Sequence, residues 1–549
     1  MEKLDYSSKR CLVVEDRRPF AMLLKGLLIS LGAKRIITEL SAETALKTCK
    51  KTAFDVVVCD LHLGTNRKNG FEFLEEIRKR RLISPSTVFI MISGDSARSM
   101  VLGSLEKQPD DYLIKPFSQA QLNSRIARAS NRRVSLNALY SQIEHGNYKL
   151  AIETCKHYLE TGSKYTKHLI QIMVQLYWKL EEFDKAESIL DDILKEREIQ
   201  WALSSMAKTQ LLKKNYSKAI ELGKRSIENS KNNVEAYDII ADACLHNNMK
   251  PEALGYIQEA LALSPLSIER HYRVCDIARA NENYQAAMDS AKAIWELSQR
   301  SVHRNINHMC SYIRSILDAA EQAENRNAKN KLKQEALLAL QRSQHDDIAA
   351  KHQDGFDFEI FEGIIHSRIF YLEGKHTEAK RALEEAQIKI EDNFTEYPLG
   401  LAPDSLKAMF DLGDYEEANK VANALKSQEI EVDSNIQYLM DSELESAKDK
   451  RTRYITHNKK GIELYSTGNF KAAYTEFKKA KVISNTNIGV TLNLMQCLIK
   501  LMESTDKPEG AFIKECRELY RFTNCMPLRA AHKKKFEIIK PDAEKFIHA

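Results

Sequence analysis

Five side chains that could act together chemically are spread over the first 115 residues. Two carboxylates stand side by side at Glu15 and Asp16, a third at Asp60 follows the run DVVVC, and a hydroxyl and an ammonium follow at Ser93 and Lys115. Carboxylates held close together repel one another unless a hard cation such as Mg²⁺, which prefers oxygen ligands, offsets their charge. A hydroxyl and an ammonium opposite them would suit the oxygens of a phosphoryl group.

Each of these residues ends or directly follows a predicted strand. Short apolar runs predict strands at 11–14, 35–38, 55–59, 87–92 and 111–114. Helical patterns at 19–31, 42–51, 70–80, 95–106 and 118–129 alternate with them. Five such units with continuous apolar strands predict an α/β doubly wound five-stranded parallel sheet with helices on both faces. The carboxyl ends of its strands would bring the five side chains to one edge.

The group resembles the active site of the receiver domain of two-component response regulators. The carrying motifs are the acidic pair, DVVVCD, the hydroxyl 33 residues later and KPF after a further 22 residues. The resemblance implies a flavodoxin-like fold, Asp60 as phosphoacceptor, and Mg²⁺ bound by Asp16, Asp60 and the backbone carbonyl of His62, with Glu15 acting through water.

The same resemblance assigns roles to the remaining positions. Ser93 would hydrogen-bond the phosphoryl group, Lys115 would pair with it, and Tyr112 would be the aromatic switch. The bond before Pro116 would be a cis peptide.

The loop after Asp60, LHLGTNRKNG, departs from the family pattern. It has Gly64 where a proline is usual and is about two residues longer before Gly70. The insertion places Arg67 and Lys68 near the acidic edge, where they could alter phosphate lifetime or kinase choice. A solvated loop is the simpler interpretation of these two charges.

From residue 136 onward the pattern is helical and repetitive. A turn followed by alanine recurs, and the first five such alanines are spaced by 35, 33, 34 and 34 residues. They are Ala151, Ala186, Ala219, Ala253 and Ala287. This resembles the tetratricopeptide (TPR) repeat, an all-α helix hairpin of 34 residues that stacks into a superhelix. The repeat around Ala253 carries the matching residues Tyr237, Ile240, Ala241, Cys244, Ala260 and Pro265.

We therefore expect a receiver at 1–127 and a polar, basic linker at 128–135. Regular repeats at 136–300, a degenerate repeat with long helices at 301–356, divergent repeats at 357–506 and capping helices at 507–549 would follow. The first helix of each hairpin would form a groove for a partner. Its candidate residues are Trp201, Lys208, Glu235, Asp238, Asp242 and Tyr272. The middle of this set is acidic, which favours a basic or amphipathic peptide as the ligand.

Composition limits the function classes. Residues 1–126 hold 21 Lys and Arg against 15 Asp and Glu, so the whole net charge of +5 is accounted for by this part of the chain and the remainder is close to neutral. That balance argues against strong nucleic-acid binding. Ten scattered cysteines without a CxxC pair, and no apolar run near the roughly 18 residues of a membrane span, predict a reduced, cytoplasmic protein.

The sequence thus predicts a bacterial response regulator, not an enzyme beyond its own phosphotransfer and dephosphorylation. Its expected partners are a sensor histidine kinase or phosphotransfer protein and a protein or peptide bound by the TPR superhelix. A homodimer is left open, and no nucleic acid is expected. Two alternatives remain: a transcriptional regulator that binds DNA through an unrecognised helical element, and, lower in rank, an enzyme output.

Overall fold

A computed structural model describes residues 4–64, 67–94, 109–344, 355–427, 444–505 and 508–547. The chain divides into two compact units, Met1–Arg304 and Asn305–Ala549. The first unit contains a β-sheet with its helices, followed by helical hairpins. The second unit is helical throughout its described elements.

The sheet has five parallel strands in the order β2-β1-β3-β4-β5. They are β1 Arg10–Val14, β2 Arg35–Glu39, β3 Val56–Asp60, β4 Val88–Ser93 and β5 Asp111–Ile114. Valines and isoleucines fill β3 and β4, which are fully buried because helices cover both of their faces. The predicted doubly wound parallel sheet is confirmed.

Four helices of the described residues pack on this sheet. They are α1 Arg18–Ser30, α2 Ala42–Cys49, α3 Gly70–Lys79 and α4 Gln119–Ser135. Alternate strand residues point to opposite faces, so Val57 and Phe89 join α2 and α3 in one apolar cluster. Val58 and Ile90 join α1 and α4 in the other. We call this part of the chain, residues 4–135, the N-terminal domain. The helix predicted at 95–106 lies outside the described residues.

The last helix of the N-terminal domain corrects two sequence expectations. We predicted its end at Ala129 and a linker at 128–135, but α4 continues without a break to Ser135. The polar residues at its end have partners on the sheet: Arg132 Nη2 and Arg133 Nε donate to Asp110 Oδ1 at 3.1 and 2.7 Å. These charge-assisted hydrogen bonds to the buried Asp110 carboxylate stabilise the last turns of the helix.

Ten helices pair into hairpins in the rest of the first unit. They are α5 Asn137–Glu144, α6 Tyr148–Glu160, α7 Thr166–Lys179, α8 Phe183–Glu196, α9 Gln200–Leu212, α10 Tyr216–Asn229, α11 Val234–His246, α12 Lys250–Leu263, α13 Ile268–Ala280 and α14 Tyr284–Ser298. The repeating alanine of each hairpin is 0–2% exposed, since two helices cross closely there. The residue five positions earlier has a positive φ in every turn, although only Gly146 among the five is a glycine.

The second unit continues with helices of more variable length. Its described helices are α15 Ile306–Gln322, α16 Arg326–Ser343, α17 Phe358–Leu372, α18 His376–Asn393, α19 Ala402–Asp411, α20 Tyr415–Ser427, α21 Lys448–Ser466, α22 Phe470–Ile483, α23 Ile488–Glu503, α24 Gly510–Asn524 and α25 Ala530–Ile547. Turns with a positive φ precede Ala379, Ala418 and Ala473 by five residues, as in the first unit. Across the described ranges, no helix combines the length and apolar character that crossing a bilayer requires.

Candidate functional site at the carboxyl edge of the sheet

The strand register brings the predicted site residues to one edge. Asp60 ends β3 opposite Ile92, and Ser93 ends β4 opposite Ile114, directly before Lys115. Glu15 follows β1, and its backbone N–H donates to the Glu39 carbonyl at 3.0 Å. Parallel strands that all end here explain why residues up to 100 positions apart become neighbours.

Three carboxylates and one ammonium form the centre of the site. Oxygens of Glu15, Asp16 and Asp60 all lie within 4.8 Å of one another. Lys115 Nζ donates to Glu15 Oε2 at 2.8 Å and to Asp60 Oδ2 at 2.5 Å. One ammonium offsets only one of three negative charges, so the donor set suits a divalent cation with oxygen ligands. These three carboxylates would supply oxygen ligands for Mg²⁺.

Backbone groups fix the orientation of these side chains. Asp60 Oδ1 accepts from the His62 N–H at 3.3 Å, and Glu15 Oε1 accepts from the Arg17 N–H at 3.3 Å. Lys115 Nζ lies 3.9 Å from the centre of the Phe20 ring, on the face of the ring where a cation is attracted. The peptide bond between Lys115 and Pro116 is cis.

Burial changes the acidity of one member of the cluster. Glu15 is fully buried, and this loss of solvation, together with the neighbouring Asp60, raises the pKa of Glu15 to about 7, although Lys115 acts in the opposite direction. A carboxyl group with such a pKa loses its proton readily when a cation binds beside it, because the positive charge favours the carboxylate form. Binding of a metal cation beside Glu15 would therefore favour its deprotonated form.

Ser93 ends β4 and Tyr112 lies on the neighbouring strand β5. Ser93 is fully buried, and its carbonyl accepts from the Lys115 N–H at 2.8 Å. Tyr112 is half-buried on β5 and packs against the apolar cluster under α2 and α3. The residues that connect β4 to Pro109 lie outside the described part of the chain, except Gly94.

The loop after Asp60 reaches from the acidic edge toward α3. A Cβ placed on Gly64 would lie 3.7 Å from Asp16 Oδ2 and 3.7 Å from Arg67 Cδ, so Arg67 passes close to the acidic edge. Lys68 instead turns to α3, where its Nζ pairs with Glu76 Oε2 at 2.9 Å. The simple interpretation of both charges as solvated therefore does not hold for Lys68.

The spacing of the sequence motifs did not predict one close contact at the site. A Cβ on Gly70, the first residue of α3, would lie 2.4 Å from the Asp60 carbonyl oxygen and 2.9 Å from Met91 Sδ. The Gly70 N–H donates to the Leu61 carbonyl at 2.8 Å. Glycine therefore seats α3 directly on the backbone of Asp60. A glycine at the start of a helix could have suggested this.

The predicted groove residues lie on the first helices of the hairpins. Trp201 and Glu235 line a cavity of about 1200 Å³, together with His168. Lys208 Nζ pairs with Glu235 Oε1 at 3.3 Å and lies 4.8 Å from the centre of the Trp178 ring.

The acidic part of the predicted groove is largely paired with arginines. Asp238 accepts two hydrogen bonds from Arg270, at 2.9 and 2.8 Å, and Arg270 is buried. Asp242 Oδ2 lies 3.7 Å from Arg273 Nε. Tyr272 is half-buried. The sequence predicted an acidic groove for a basic or amphipathic peptide, but these pairs offset most of the negative charge of Asp238 and Asp242.

Comparison with known proteins identifies the N-terminal domain. The profile of the response regulator receiver domain matches residues 11–127. These residues form a receiver domain. The alkaline phosphatase synthesis transcriptional regulatory protein PhoP of Bacillus subtilis is 32% identical over 138 residues, 25% of this chain and 55% of that protein. The response regulator protein PmrA of Pseudomonas aeruginosa is 36% identical over 110 residues, 20% of this chain and 45% of that protein.

The extent of this similarity is limited to the receiver domain. The chain spans about half the length of these curated relatives. A solved structure described as "BeF3 Activated DrrB Receiver Domain" is 31% identical, with 22% of this chain and 96% of that chain covered and a TM-score of 0.20.

Proposed function

We propose that the protein is a response regulator in which Asp60 accepts a phosphoryl group from a histidine kinase or phosphotransfer protein. The observation that carries the proposal is the position of Asp60, with its Oδ2 bonded to Lys115 at 2.5 Å inside a cluster of three carboxylates. An isolated acid at a strand end would need neither the ammonium nor the neighbouring carboxylates.

The chemistry assigned to Asp60 is a displacement at phosphorus. A carboxylate oxygen of Asp60 forms a bond to the phosphorus of a phosphohistidine, and the P–N bond breaks with its electron pair going to the histidine nitrogen. Asp16, Asp60 and the His62 carbonyl would hold Mg²⁺, with Glu15 acting through water, and the cation would offset the charge of the phosphoryl oxygens.

Protein side chains supply the remaining interactions. Lys115 can transfer its hydrogen bond from Asp60 to a phosphoryl oxygen, and the buried Ser93 hydroxyl lies on the neighbouring strand to donate another. Tyr112 on β5, next to these residues, is the aromatic group proposed to repack after the reaction. The helix α4 leads from this region into the first hairpin without a loop.

For the output we propose protein binding by TPR-like hairpins. The alanine spacing, the buried crossings and the turns with positive φ support a repeat scaffold whose first helices present a surface to a partner. The curated relatives are named as transcriptional regulators, but the similarity does not extend beyond the receiver domain. DNA binding and an enzyme output therefore stay as alternatives.

Intact mass spectrometry tests the phosphoacceptor. With acetyl phosphate and Mg²⁺ the chain should gain one phosphoryl group, about 80 Da, and the Asp60→Asn variant should gain none. Asp55→Asn is the matched control, since Asp55 precedes the same strand at its opposite end and its side chain is 43% exposed. Equal labelling of wild type and Asp60→Asn would refute the proposal.

A further inference from the structure

The cavity of about 1200 Å³ lies between the receiver domain and the first hairpins. Parts of α3, β4 and α4 form one wall, and the first helices α5, α7, α9 and α11 of four hairpins form the other. Among the described residues that line it, none belongs to the acidic edge of the sheet. Pockets for organic ligands measure roughly 300–1,000 Å³, so this cavity has room for such a molecule.

The receiver wall of the cavity carries an excess of positive charge. It contains three arginines, Arg78, Arg132 and Arg133, but only one carboxylate, Asp110. Arg132 and Arg133 both donate to Asp110 Oδ1, at 3.1 and 2.7 Å. Burial and the charge of Arg133 lower the pKa of Arg78. The other four charged lining residues balance in formal charge: Lys167 and Lys179 against Glu144 and Glu235.

Side chains of the first two hairpins experience the same positive charge. The Tyr140 hydroxyl and His168 Nε2 are 2.8 Å apart, and the Arg133 guanidinium lies 4.6 Å from the centre of the Tyr140 ring. Burial and then the charges of Arg132 and Arg133 lower the pKa of His168 to about 4. Arg132 Nε is buried and has no hydrogen-bond partner among the described residues. An anion bound here would offset the charge and accept a hydrogen bond from Arg132.

The hairpin wall of the cavity is rich in apolar side chains. Its lining includes three isoleucines and a tryptophan, Ile143, Ile172, Ile199 and Trp201. All four pack against the apolar core of the hairpins but are only half-buried. An inorganic anion would leave their remaining apolar surface in water, whereas the apolar part of an organic anion would cover it.

We propose that this cavity binds a small organic carboxylate with an apolar body, such as a medium-chain fatty acid. The carboxylate pairs with Arg132, because a planar guanidinium group matches the two oxygens of a carboxylate. The apolar body lies along Ile172, Ile199 and Trp201. The ligand thus contacts the receiver domain and the hairpins together, and its binding does not depend on a phosphoryl group at Asp60.

Isothermal titration calorimetry of the full-length protein with three matched probes tests the proposal. Octanoate carries both the charge and the apolar body, octan-1-ol carries only the body, and acetate carries only the charge. Octanoate should bind with one site per chain, and the other two probes should each bind at least about tenfold more weakly. Asp60→Asn should bind octanoate as the wild type does, so this result is independent of the phosphoacceptor.

Variants on the two walls separate the two parts of the ligand. Arg132→Gln should lower the affinity for octanoate to about that of octan-1-ol, because the charged head group loses its partner. Ile172→Ser, on the opposite wall, should weaken octanoate binding at least about threefold through the apolar body. Arg225→Gln removes an exposed arginine of α10 outside the cavity and should leave the affinity unchanged.

Three outcomes would overturn the proposal. They are an absence of octanoate binding to the wild type, equal affinities for octanoate and octan-1-ol, and octanoate binding that both Arg132→Gln and Ile172→Ser leave unchanged. The last outcome would show that octanoate binds elsewhere on the chain. Because the two variants lie on different walls, loss of folding in one of them leaves the other, together with the three probes on the wild type, as the test.

Discussion

Replacement of Gly70 by alanine tests whether α3 is seated on the phosphoacceptor. The added Cβ would lie 2.4 Å from the Asp60 carbonyl oxygen and 3.1 Å from Leu61 Cα, which are backbone atoms that cannot rotate away. Overpacking of this kind costs about 1–3 kcal/mol, from which a better helix propensity of at most about 1 kcal/mol is subtracted. We expect Gly70→Ala to destabilise the receiver domain by up to about 3 kcal/mol.

Gly26 offers a matched control on α1. It is an exposed helical glycine, and a Cβ there would meet nothing within 4 Å. Gly26→Ala should therefore stabilise the same domain by about 0.5–1 kcal/mol, because alanine favours a helix interior over glycine. The two glycine replacements should thus have opposite signs.

Scanning calorimetry of the full-length protein can measure both changes. The transition that Mg²⁺ shifts to higher temperature reports the receiver domain, since a ligand of the folded site stabilises only the unit that binds it. Gly70→Ala should lower the temperature of this transition and Gly26→Ala should raise it. A Gly70→Ala protein as stable as Gly26→Ala would show that α3 does not rest on Asp60.

Three further predictions concern charged groups. Lys115→Met should lower the melting temperature in Mg²⁺-free buffer, because the carboxylates lose their ammonium. In calorimetry, added Mg²⁺ should then raise the melting temperature by more than it does in the wild type. An equal rise in both proteins would contradict this. Burial next to two arginines of α4 lowers the pKa of His168 to about 4, so the folded state binds fewer protons than the unfolded state between pH 4 and 6.5. Stability should fall by up to about 3 kcal/mol as pH drops through that window, and His168→Gln should remove this loss in urea titrations. Asp404→Ala should destabilise the second unit by about 3–5 kcal/mol in thermal unfolding, since the buried Arg314 and Arg368, bonded to Asp404 at 2.6 and 2.7 Å, lose a shared partner.

The sheet and its active edge could be predicted because their signals are local. The valine run before Asp60 identifies a buried strand without reference to the rest of the chain. The rule that parallel strands end at one edge then places Glu15, Ser93 and Lys115 near each other. Side-chain types and strand order together were sufficient for this part.

Contacts between distant segments could not be predicted in the same way. Residues 128–135 are polar and suggested a linker, but Asp110 on the sheet pairs with Arg132 and Arg133 and keeps this stretch helical. Asp238 suggested an acidic groove, but Arg270 lies beside it in the folded chain. Both errors arise because a charged residue in a sequence does not show which partner the fold provides.

Chemical mapping of the phosphoryl group tests the central claim most directly. After reaction with acetyl phosphate and Mg²⁺, borohydride reduces an acyl phosphate on an aspartate to homoserine, which peptide mass spectrometry can locate. We predict homoserine at position 60, the residue whose carboxylate contacts Lys115 at 2.5 Å. Homoserine at another aspartate, or none in a protein that has gained phosphate, would contradict the account.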